Sequence, residues 1–168
     1  MLGAVSRLDS FIRRLQAQRS CVDHAAHLVR DLPGPILELG LGNGRTYDHL
    51  RERLPGREIY VCERQVAAHP DCVPPDRFLI LGDVRDTLPR ARERIGTAVA
   101  LVHADLGSGD VQASRRQATE LAPLIAGLLL QGGIVVSDQT LATPRLLPLE
   151  LPVGVKPGRY FLYRAAGG

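Results

Sequence analysis

Apolar positions in this chain change period along its length, and the changes mark out its elements. Over residues 4–31 they recur at helical spacing, with Leu8, Phe11, Ile12 and Leu15 on one stripe and Val22, Ala25, Ala26 and Val29 on another. Ser20 with Asp23 three places on has the form of a helix cap, so the segment predicts a helical pair or one broken helix. Pro33-Gly34-Pro35 closes it. Short apolar runs then follow at 36–39, 58–63, 77–81, 98–104 and 133–138, the lengths expected of strands. Helical candidates at 45–54, 84–94 and 111–130 separate them, with a poorly helical link at 64–76. Repeated strand–helix–strand units imply right-handed crossovers and a parallel sheet, an α/β fold. At the end, Leu146–Leu151 and Arg159–Arg164 flank a proline-glycine turn at Val155–Gly158 and predict a hairpin.

Composition narrows the class. The 168 residues fit one domain with a real core and little room for a second module. Hydrophobic residues make up 45% and aromatics only 4%, which suits a parallel sheet filled with Leu, Val, Ile and Ala. The longest apolar run, Leu121–Leu130, contains Pro and Gly and is far shorter than the roughly 18–20 residues of a membrane span. It reads as a buried helix. The N-terminal stretch mixes Arg7, Asp9, Arg13 and Arg14 with apolar residues and lacks the pattern of a secretory signal, so a cytoplasmic location is expected. Cys21, Cys62 and Cys72 form neither an even disulfide set nor a close metal pair and read as reduced thiols. His24 and His27 have no third ligand nearby. All but one of the basic residues are arginine, spread among acids at a net charge of +3, without the clustered stripe and stacking aromatics of a nucleic-acid binder.

The chemistry concentrates in Ile36-Leu-Glu-Leu-Gly-Leu-Gly-Asn-Gly-Arg-Thr46, where a strand runs into three glycines spaced two apart. Such a loop lays backbone against a ligand, and the free N–H groups of the helix after it aim at the same spot. The dinucleotide fingerprint wants its third glycine at the sixth position, which here is Arg45. With Glu38 two places before Gly40, the pattern resembles motif I of the class I S-adenosylmethionine-dependent methyltransferases. Downstream, a second strand ends on Glu63, about 20 residues past the glycines, where an acid grips ribose hydroxyls in folds of this kind. A third ends on Asp83.

The resemblance covers residues 36–164 and implies a Rossmann-like, doubly wound, mostly parallel seven-stranded sheet with helices on both faces, its last strand antiparallel. Residues 1–35 would be an N-terminal helical extension to a cofactor domain at 36–168. It further implies S-adenosylmethionine as cofactor, with Glu38, Gly40, Leu41, Gly42 and Gly44 at the methionine end and Asn43 and Thr46 adding polar contacts. Glu63 and Arg64 would meet the ribose, Gly82, Asp83 and Val84 the adenine, and His103 and Ala104 the edge nearest the substrate.

Methyl transfer is an in-line displacement, so few catalytic side chains are needed, and a base matters only for an acceptor that carries a proton. Asp105 and His103 are the candidates, two residues apart and so on one side of the fourth strand. The competing readings are a loop or cap acid and a packed strand histidine. The Asn/Asp-Pro-Pro-Tyr motif of amino-group methyltransferases is absent, and the expected acceptor is a small molecule. Asp105, Asp138 and Gln139 resemble in placement the magnesium ligands of catechol-type O-methyltransferases, although Gln replaces Asn, and a metal is the weaker expectation. The family's helix before the final hairpin has no room in residues 139–146, which contain Pro144. The N-terminal helices or a second subunit would then complete the pocket, hence an expected homodimer. Two other readings stay open: a non-catalytic cofactor-binding module, and a nicotinamide-dependent oxidoreductase, which Arg45 disfavours.

Overall fold

A computed structural model describes residues 5–167. Position 4, where the predicted helical stretch begins, and residue 168, where the predicted domain ends, lie outside them. The chain runs α1 (Arg7–Leu28), β1 (Ile36–Leu39), α2 (Arg45–Arg53), β2 (Ile59–Glu63), β3 (Leu79–Leu81), α3 (Val84–Ile95), β4 (Val99–Ala104), α4 (Val111–Ala126), β5 (Leu129–Ser137), β6 (Leu146–Leu149) and β7 (Phe161–Ala165). The strands form one sheet in the order β3-β2-β1-β4-β5-β7-β6. All pairings are parallel except those of β7, which runs antiparallel to both β5 and β6.

Both faces of the sheet are covered, which is why the central strands read as unbroken apolar runs. Leu37, Leu39, Val102 and Ala104 pack with Leu88, Ala91, Ala118 and Leu121 of α3 and α4. Ile36, Leu101, Ile134 and Val136 pack on the other side with Cys21, Val22 and Ala25 of α1 and Leu50 of α2. β1 lies between β2 and β4, so successive crossovers leave it in opposite directions. That reversal opens a crevice at the carboxyl ends of β1 and β4.

Three expectations change. The first helix is continuous over 22 residues, without a break at Ser20. Its cap is Ser6, whose hydroxyl accepts from the Asp9 N–H at 3.0 Å and donates to the Asp9 carboxylate at 2.8 Å. The same Ser-x-x-Asp spacing occurs at both places, and burial of Ala17, Cys21, Val22 and Ala25 across Ser20 holds the helix together there. Toward its start Leu8, Phe11 and Ile12 are exposed. The chain leaves α4 at Gly127, turns at Leu128 and puts Leu129 and Leu130 into β5, because an apolar run does not by itself distinguish helix from strand. Finally, Asp76–Phe78 form a 3₁₀ turn, and only Leu79–Leu81 of the predicted third strand pair in the sheet.

The link after β5 has no helix, as its length and Pro144 foretold, and is tied down instead. Leu141 is buried, and its N–H donates to the Tyr163 hydroxyl at 3.0 Å. Tyr163→Phe should strand that N–H and cost about 1–3 kcal/mol, read as a lower urea midpoint at unchanged slope.

Candidate active site

The glycine loop begins where β1 stops. Gly40 has φ 87°, and a Cβ there would sit 3.1 Å from the Asp105 carbonyl oxygen, so its smallness lets the β1 and β4 ends converge. Gly44, at φ 82°, is constrained from the other side. A Cβ would meet the Cys72 Cβ at 2.5 Å and the Cys72 carbonyl at 2.9 Å, so this glycine seats the 64–76 link against α2. The Asn43 side chain accepts from the Arg45 N–H at 3.2 Å, bracing the turn into α2.

Glu63, at the end of β2, reaches into this loop. One carboxylate oxygen accepts from the N–H groups of Leu41 at 2.6 Å and Gly42 at 3.0 Å; the other accepts from Arg64 at 2.6 Å and Gln65 at 3.3 Å. A carboxylate offers about four acceptor positions, and backbone fills all of them here. Asp83 is also engaged. It caps α3 through the Arg85 N–H at 3.0 Å and pairs with the Arg64 guanidinium at 2.7 Å, and these partners, the N–H foremost, lower its pKa.

Two cavities flank Glu63. The smaller, about 140 Å³, is lined by Gly82 and Val84 but not by Asp83 between them. The larger, about 400 Å³, runs from the glycine loop to α1, which supplies Phe11, Arg14, Leu15 and Gln18. Gly40, Glu63 and Asp105 line both. The α1 residues were missing from the sequence-based site. The missing helix before the final hairpin pointed to the N-terminal segment as a cover for the pocket, but not to these residues.

Beneath the loop lies a buried polar chain. Glu38 and His103, neighbours in register on β1 and β4, have side chains only 1% exposed and meet at 2.8 Å through Nδ1. Nδ1 faces Glu38, and Nε2 lies 3.4 Å from the Gln18 side-chain amide, whose nitrogen donates to the Thr46 hydroxyl at 3.2 Å. Burial alone would lower the pKa of His103, but the Glu38 carboxylate outweighs it and pushes it up. Burial raises that of Glu38 in turn, against the pull of His103. The other Glu38 oxygen, Oε2, is buried without a partner.

Asp105 follows β4, and burial together with the nearby Asp138 carboxylate raises its pKa. Asp138 uses one oxygen for the Leu106 N–H at 2.9 Å and the other for the Gly107 N–H at 2.8 Å, while Gln139 donates to the second at 3.3 Å. Asp138 therefore fastens the loop after β4. With its oxygens so committed, the Asp105, Asp138 and Gln139 set suits a divalent cation poorly. Among the described residues no group of three or more His, Cys, Asp or Glu side chains could hold a metal.

A family model described as S-adenosyl-L-methionine methyltransferase matches residues 5–165. The chain belongs to the S-adenosyl-L-methionine methyltransferase family. The family sets aside the nicotinamide reading and makes the chain an S-adenosylmethionine-dependent enzyme. A crystal structure of an S-adenosyl-L-methionine methyl transferase from Silicibacter pomeroyi DSS-3 is 51% identical, with a TM-score of 0.91 over 97% of this chain and 100% of the other. More distant structures share the fold alone. The antibiotic-resistance methyltransferase Kmr is 10% identical at a TM-score of 0.52, over 99% of this chain and 95% of its own. Cofactor-bound Rv0187 from MTB is 18% identical at 0.55, over 99% and 83%. None of the curated proteins matches this methyltransferase in sequence.

Removing one member of a buried charged pair leaves the other uncompensated. His103→Ala should cost about 3–5 kcal/mol in a denaturant titration, well beyond an ordinary surface substitution.

Proposed function

We propose that this methyltransferase carries the adenosyl half of its cofactor in the smaller cavity and the methionine half in the larger, and methylates a small molecule held against α1. The observation that carries the reading is Glu63, set between the two cavities with its carboxylate on the glycine loop. Glu63 exchanges some of its backbone partners for the ribose hydroxyls, with Arg64 beside it. Val84, whose N–H is free at the first turn of α3, reads the adenine next to Gly82, while Asp83 keeps its cap. Gly40, Leu41, Gly42, Asn43, Gly44 and Thr46 shape the methionine end over Glu38, and Ala104 borders the reacting methyl. Arg14 and Arg45 line the same cavity, have no carboxylate partner among the described residues, and supply charge for the methionine carboxylate.

In the reaction the acceptor atom forms a bond to the methyl carbon as the carbon–sulfur bond breaks, its electron pair staying on sulfur. An acceptor that starts protonated gives its proton to Asp105. His103 has both ring nitrogens occupied and is buried, so its role is to position Glu38 and, through Gln18, α1. No described helix is long and apolar enough to cross a membrane, in keeping with work in the cytoplasm, and the exposed Leu8, Phe11 and Ile12 of α1 suit a homodimer contact.

Calorimetry should show S-adenosylhomocysteine binding that Glu63→Ala weakens at least roughly tenfold, since charge-assisted hydrogen bonds to the ribose are lost. Equal affinity in the variant, or preference for NAD, would sink the assignment. As base, Asp105 must be ionised, so its raised pKa places the acidic limb of kcat/KM above the ordinary aspartate range near ~3.9, with activity rising as pH rises through it. Asp105→Asn should abolish that limb for any proton-bearing acceptor found by screening.

A further inference from the structure

On the side of α1 away from the glycine loop lies a second cleft of about 360 Å³, closed opposite the helix by the turn at 154–159. Arg13 projects into it from α1, and Lys156 and Arg159 from the turn, with Gln16 and Ser20 adding neutral donors. No carboxylate lines it. Acids neutralise some of the arginines of the fold, as in Arg51 with Asp48, Arg53 with Asp23 and Arg85 with Glu120, but none lies among the residues that line this cleft. Arg13, Lys156 and Arg159 have no such partner among the described residues, and Arg159 reaches only the Ser10 hydroxyl at 3.2 Å. Lys156 is also the chain's single lysine.

Three like charges around one concavity repel unless an anion joins them. The cleft offers donors in excess of acceptors, the complement of a group with several oxygens and more than one negative charge. Its size lies within the roughly 300–1,000 Å³ of small-molecule pockets, and no aromatic ring lines it for stacking a nucleic-acid base. We propose that this cleft is an accessory binding site for a small phosphate-bearing molecule, with Arg13, Lys156 and Arg159 clasping the phosphate oxygens. Since α1 walls both clefts, an anion held by Arg13 pins the helix whose other face presents Arg14 and Gln18 to the cofactor cavity.

The test is to titrate inorganic pyrophosphate, at constant ionic strength, into protein saturated with S-adenosylhomocysteine so that the glycine loop is not available. Calorimetry gives the affinity and amide NMR shifts give the location. The expected result is one saturable site, shifts clustered at 13–20 and 154–159, and binding weakened roughly tenfold in both Lys156→Ala and Arg159→Ala. Both variants should keep wild-type affinity for S-adenosylhomocysteine, which shows that they fold. Four outcomes would each overturn the proposal: absence of saturation, undiminished binding in the variants, shifts confined to the glycine loop, or displacement of pyrophosphate by lower concentrations of a short single-stranded RNA. The last would make the cleft part of a nucleic-acid surface.

Discussion

A carboxylate in the innermost strand of a parallel sheet must be compensated, and Glu38 on β1 sets that demand at the centre of this molecule. His103 answers it from the adjacent strand at 2.8 Å. The imidazole then needs a partner for its second nitrogen, which Gln18 supplies from α1, and Gln18 in turn reaches Thr46 at the start of α2. One buried charge thus ties together β1, β4 and the two helices of one face, two residues before the glycine loop begins. The N-terminal helix is held against the cavity at the glycine loop by this chain as well as by its apolar packing on β4 and β5. Glu38 Oε2, buried and unpartnered, remains as a polar group of the cavity wall.

The strand-end acids share a second constraint. Loops at the carboxyl edge of the sheet expose backbone N–H groups, and Glu63, Asp83 and Asp138 each accept from two or more partners there. Asp110 does the same for α4, through the Ala113 N–H at 2.9 Å. These carboxylates are first the fasteners of the crevice. For Glu63 this means that the glycine loop is shaped before a ligand arrives, and that the ribose we propose for this position would compete with loop amides. The preformed loop keeps the cost of ordering it out of the binding step, since little of it remains to be ordered.

Much of this was legible in the residues themselves. The strand–helix alternation, the glycine spacing with Glu38 ahead of it, and the hairpin around Pro157 and Gly158 are local patterns, and each carries its own geometry. What misled was equally local. Ser20 with Asp23 has the same cap spacing as Ser6 with Asp9, and only burial of Cys21 and Val22 against the sheet decides between them. Leu128–Leu130 are as apolar as the helix before them. Leu8, Phe11 and Ile12 repeat at helical spacing and still lie outside the core, with Phe11 lining the cavity at the glycine loop.

The sequence by itself determined the order of elements, the α/β class and the loop that a nucleotide-like cofactor would need, since these follow from short-range periodicity and from what glycine permits. Only the tertiary structure decided how the polar groups are used. It paired Glu38 with His103 across 65 residues, turned Asp138 toward the loop after β4, and brought Arg14 and Gln18 to the cofactor cavity from a helix that precedes the first strand. Hydrogen bonds and ion pairs depend on distance in space, and spacing along a chain specifies that distance only within a single helix or strand.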